Sequence, residues 1–98
     1  MATTRRRRTA LECIRGVVQA GGAAVGPYGL DLYRPRECQV HIADAARISD
    51  ALETLGIEHA LAPAPSAGVL VRVEWEHLPA LRDRMPALLD PLLRAADR

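Results

Sequence analysis

Apolar and polar positions along this chain recur with two different periods, and each change of period marks a new element. From Thr9 the residues Leu11, Ile14, Val17 and Val18 follow helical spacing until Gly21-Gly22 stops them, with Thr9 placed as the N-cap. Residues 21–29 (GGAAVGPYG) are dense in helix and strand breakers and read as a connection. Leu30 to Arg34 then alternates as a half-buried strand does, and Pro35, Arg36 and Glu37 turn it. Cys38 to Ala43 alternates again, with Cys38, Val40 and Ile42 on one face and Gln39 and His41 on the other.

Asp44 is a good N-cap for a helix over 44–55 that carries Ala45, Ile48, Leu52 and Leu55 on one stripe, and Gly56 fits a left-handed C-cap. Residues 57–62 form a short strand and Pro63 to Gly68 a proline-rich turn. Val69, Val71, Val73 and Trp75 then alternate with Leu70, Arg72 and Glu74, a strong strand signal over 68–76. The last helix opens near Leu78 with Pro79 in its first turn. Leu78, Leu81, Met85, Leu88 and Leu92 step by three and four, and Pro86 and Pro91 require a kink or a restart. A shift of 33 residues lays Val40 on Val73 and Ile48 on Leu81. The matches share only apolar character, so the two units share an architecture rather than prove a duplication.

This order predicts an α+β fold: an N-terminal helix, then β-β-α-β-β-α, giving a four-stranded antiparallel sheet with helices on one face. The portion from Cys38 onward traces most of a split βαβ unit. Residues 30–34 supply the remaining edge strand as a hairpin with 38–43, a permuted ferredoxin-like arrangement. The other sheet face then shows Tyr33, Gln39, His41, Leu70, Arg72 and Glu74.

Composition changes this picture in two places. The chain has 98 residues, one domain's worth. All 13 basic residues are Arg, and Lys, Asn and Phe are absent, which points to a GC-rich, bacterial coding bias more than to Arg chemistry. Four of those charges, Arg5, Arg6, Arg7 and Arg8, sit in residues 1–8, read as a disordered basic arm. The domain over 9–98 keeps nine Arg against 12 acids, a net of −3. No apolar run approaches the roughly 20 residues that span a bilayer, and Glu12, Arg15 and Gln19 interrupt any signal-peptide core. Two cysteines, Cys13 and Cys38, make no disulfide scaffold, and a cytoplasmic location with both reduced is expected.

Candidate chemistry is sparse. Cys38-x-x-His41 has the spacing of half a zinc site, but a strand points the two to opposite faces, and His59 and His77 form no second close pair. No metal or cofactor is expected. Ser49 lies on the exposed side of a helix and Ser66 in a proline-rich turn, so no catalytic residue is assigned. Glu74 and Glu76, beside Arg72, read as a charge ladder. The glycines of 21–29 follow a helix and precede a strand, the reverse of a phosphate loop.

Three functional readings follow. The leading one is a small non-enzymatic protein-interaction or regulatory module, a homodimer or a partner of another protein, using the open face (Tyr33, His41, Leu70, Arg72, Glu74) and a second helix row (Leu89, Leu93). The second is a nucleic-acid accessory protein that neutralises phosphates with Arg5–Arg8. The third is a small ligand-binding or enzymatic domain anchored on His41, Arg72 and Glu74.

Overall fold

A computed structural model describes residues 2–33, 45–64 and 68–96 of the chain. Its elements are α1 (Ala2–Gln19), β1 (Ala23–Gly26), β2 (Gly29–Leu32), α2 (Ala45–Thr54), β3 (Ala60–Pro63), β4 (Val69–Glu74), α3 (Leu78–Arg82) and α4 (Pro86–Ala96). The four strands form one antiparallel sheet in the order β1-β2-β4-β3. The fold is therefore α+β with an N-terminal helix, as the sequence predicts. The strand order is compatible with a split βαβ unit (β2, α2, β3) whose gap is filled by β4, but the expected edge strand 30–34 is central: Gly29–Leu32 pairs on both sides, and β1 takes the outer place.

The register explains the core. Leu30 lies opposite Val73 and Leu32 opposite Val71, so four apolar side chains point to one face of the two central strands. All four are fully buried, in one cluster with Ile14 and Val17 of α1, Ile48 and Leu52 of α2, Leu81 of α3 and Leu89 of α4. The helices thus share one side of the sheet: α2 packs over β4, α4 beside β1, and α1 chiefly on α2.

Several expectations need correction. The segment 21–29 is not merely a connection, because Ala23–Gly26 is a strand that hairpins with β2 through Pro27-Tyr28. Ala and Gly carry little strand propensity, so this strand exists through its pairing rather than its composition. The hairpin needs Gly29, whose φ is +146° and whose added Cβ would stand 2.2 Å from the Val73 carbonyl oxygen.

Helix α1 begins at Ala2, so Arg5–Arg8 are helical rather than a disordered arm. Arg is a good helix former, and Thr9 is no cap: its hydroxyl donates to the Arg5 carbonyl at 3.0 Å from inside the helix. The final helix restarts at Pro86, while Pro91 is carried inside α4. The inward row becomes Leu78, Leu81, Met85 and Leu89, leaving Leu88 and Leu92 half-buried.

Gly56 closes α2 as expected, with φ +72° and the Ile57 N–H donating back to the Leu52 carbonyl at 2.9 Å. The expected strand 38–43, the Asp44 cap, and the residues Cys38, Gln39, His41 and Ser66 lie outside the described residues.

Candidate functional site

Among the described residues β3 is one of the two edge strands of the sheet, β1 being the other. The Ala64 N–H donates to the Gly68 carbonyl at 3.1 Å, which fixes the alternation along the β3–β4 ladder. Ala60 and Ala62 therefore turn their backbone groups to β4, whereas Leu61 and Pro63 turn theirs outward. Carried one step back, the same alternation turns His59 outward too. The Leu61 side chain is 62% exposed, and its same-face neighbour Val69 is 50% exposed. The run Ala60-Leu61-Ala62-Pro63-Ala64 carries no charge, so this edge lacks the side chains that usually guard an edge strand. Pro63 alone shortens it, by removing one donor.

At the entrance to β3, His59 is held from two sides. Its Nδ1 lies 2.9 Å from the Ile57 carbonyl oxygen, and its Nε2 lies 2.7 Å from Ser49 Oγ on α2. A carbonyl only accepts, so in the neutral ring Nδ1 carries the proton and Nε2 accepts from the Ser49 hydroxyl. Both side chains are half-buried. The arrangement was not visible in the sequence, where Ser49 and His59 are ten residues apart. The one available signal was Gly56, which reverses the chain and returns His59 to the helix.

The opposite face of the sheet holds an ion pair. Arg72 Nε donates to Asp31 Oδ1 at 2.8 Å across directly opposed positions of β2 and β4, and the guanidinium lies 4.7 Å from the centre of the Tyr28 ring. The hydrogen bond to Asp31 holds the Arg72 pKa above its ordinary value, with partial desolvation opposing. Arg72 is thus on the predicted open face, with Asp31 and Tyr28 as companions that sequence reasoning missed.

Tyr33 is half-buried and Glu74 exposed. Leu70, expected on that open surface, is only 5% exposed. It stands opposite Ala62, and the next register position on its other side is Tyr33. Leu89, expected on an outer helix row, is 1% exposed and belongs to the buried cluster. Leu93 is half-buried and shares a groove of about 320 Å³ with Trp75, Leu78, Pro79, Arg82, Asp90 and Arg94. Arg82 is ion-paired there with Asp90, which raises the Arg82 pKa first through their hydrogen bond.

Arg5–Arg8 are all exposed on α1. Arg5 and Arg6 line an open groove of about 1090 Å³ between α1 and α2, together with Cys13, Arg47, Asp50 and Glu53. His77 Nε2 lies 3.1 Å from Glu58 and 3.5 Å from Glu76, tying the loop before β3 to the turn after β4. Glu76 falls beyond the end of β4, so it does not pair with Glu74 on one strand face. Among the described residues, no group of three His, Cys, Asp or Glu side chains is placed to hold a metal ion, and no helix is long and apolar enough to cross a membrane. No family model, curated protein or solved structure matches the chain.

Proposed function

We propose that this chain is a protein-interaction module that works as a homodimer, joined edge to edge through β3. The observation that carries this reading is an uncharged, outward-facing edge flanked by two half-exposed apolar side chains, Leu61 and Val69. Antiparallel pairing about a two-fold axis at Leu61 is self-complementary. Leu61 exchanges both backbone bonds with its symmetry mate, and the His59 N–H meets the Pro63 carbonyl of the other copy. The donor that Pro63 lacks is the only bond lost from each of the outer pairs.

Leu61 then faces Leu61 on the apolar side, and the two sheets become one of eight strands. Covering the remaining exposed surface of Leu61 contributes about 1–2 kcal/mol per copy. The short edge and the cost of association leave a weak dimer, with Kd on the order of 10–100 µM.

Sedimentation of the whole chain across that concentration range tests the reading. Wild type should shift from monomer to dimer, and Leu61→Lys, which sets like charges opposite each other, should remain monomeric with an unchanged fold. A wild type that stays monomeric throughout, or a Leu61→Lys variant that associates equally well, overturns it.

A nucleic-acid role has less to stand on. Arg5 and Arg6 share their groove with Asp50 and Glu53, which leaves Arg7, Arg8 and Arg15 as the exposed cations of α1 outside it.

A further inference from the structure

We propose that Ser49 and His59 form a nucleophile–base pair that accepts an acyl group from a small, uncharged activated ester. This inference does not rest on edge pairing. It rests on two hydrogen bonds in series, Ser49 Oγ to His59 Nε2 at 2.7 Å and His59 Nδ1 to the Ile57 carbonyl at 2.9 Å. A nucleophile within reach of a base, and a base oriented by a third group, is the arrangement that activates a serine.

Each member is held by rigid structure. Ser49 is fixed on α2 by its buried neighbours Ile48, Ala51 and Leu52. The Ile57 carbonyl is fixed by a buried side chain and by the Gly56 turn. The carbonyl sets the tautomer, so Nε2 presents its lone pair to the hydroxyl and to nothing else among the described residues. Both side chains are only half-buried.

The surroundings set the substrate class. Asp50 follows Ser49, Glu53 is one helical turn on, and Glu58 precedes His59; all three are exposed. Arg5, Arg6 and Arg47 line the same groove as Asp50 and Glu53, so the surroundings carry no strong net charge to hold an ionic ester, and a neutral one fits.

In the reaction, Ser49 Oγ bonds to the acyl carbon as its proton passes to His59 Nε2. The bond from that carbon to the leaving oxygen breaks, and Nε2 returns the proton to the departing oxygen. Water then attacks the acyl-serine and gives a proton to Nε2. Ser49 Oγ leaves with that proton, and the carboxylic acid is released.

The test uses the full chain at low micromolar concentration, with p-nitrophenyl acetate and a fluorophosphonate as separate probes. Release of p-nitrophenol, the intact mass and the modified peptide are followed. Wild type should gain one acetyl or one phosphonyl group on the peptide containing Ser49, and Ser49→Ala should gain none. His59→Gln keeps an amide at the Nε2 position for the Ser49 hydroxyl but has no ring base, so it should label about 100-fold more slowly.

A pair that only ties α2 to the β3 entrance gives a different result. Wild type then labels no faster than Ser49→Ala, or the label falls elsewhere, or His59→Gln labels at the wild-type rate. Any of these overturns the proposal, and the comparison with Ser49→Ala decides it even where His59→Gln fails to fold.

Discussion

Replacing Gly29 by Ala is the sharpest single test of how the sheet is assembled. Gly29 has φ +146°, and a Cβ there would stand 2.2 Å from the Val73 carbonyl oxygen and 2.8 Å from the Glu74 Cα. These are backbone atoms of the adjacent central strand, which cannot rotate aside as a side chain could. The backbone conformation alone costs about 1–3 kcal/mol for a residue with a Cβ. Relieving the clash means prising β2 from β4 at that end, with the loss of one or two ladder hydrogen bonds at about 1 kcal/mol each.

The expected loss is therefore about 2–5 kcal/mol, a large part of the roughly 5–15 kcal/mol available to a domain of this size. Gly56→Ala supplies the control. Gly56 also has positive φ, +72°, but nothing lies within 4 Å of its added Cβ, so only the left-handed conformation is penalised, at about 1 kcal/mol. In urea, with a slope of about 1.5 kcal/mol/M, the two variants should lose roughly 1.3–3.3 M and roughly 0.7 M of midpoint. Equal shifts would refute the reasoning, since the close approach of β4 would then contribute nothing.

Two further substitutions probe the open face and the hairpin. Asp31→Ala and Arg72→Ala should each lower the urea midpoint, and the double variant should fall little further; additive losses would show that the 2.8 Å pair is not a coupled unit. Trp75 donates its indole N–H to the Pro27 carbonyl at 3.0 Å, so Trp75→Phe should cost about 1 kcal/mol and speed amide exchange at 26–29; an unchanged midpoint and unchanged exchange would sink that assignment.

The parts of the fold legible in the sequence were those whose pattern repeats locally. Val69, Val71 and Val73 alternate over a strand that is central and pairs on both sides. Ile48 and Leu52 share one helical stripe, and Gly56 ends it. Strand β1 was hidden because Ala23, Ala24 and Gly26 carry no strand signal; only their register against β2 makes them a strand. The inward turn of Leu89 was hidden for another reason: from Met85 a step of three to Leu88 and a step of four to Leu89 both keep helical spacing, and only the packing shows which is buried. The candidate site was less legible still. The partner of Arg72 lies 41 residues away, and the edge position of Leu61 follows from strand order rather than from any motif.

Helix α1 carries a consequence in its own electrostatics. Among its described side chains Arg5 to Thr9 are all exposed and burial begins at Ala10, so that stretch holds together chiefly by backbone hydrogen bonds. Four like charges crowd those turns, and no acidic residue balances the positive end of the helix dipole. One continuous helix is thus two mechanical regimes, a clamped C-terminal half and an N-terminal half strained by its own charge. Salt shortens the reach of that repulsion to about 8 Å at physiological strength. The wound length of α1 is accordingly expected to grow with ionic strength, and circular dichroism across a salt series reads it.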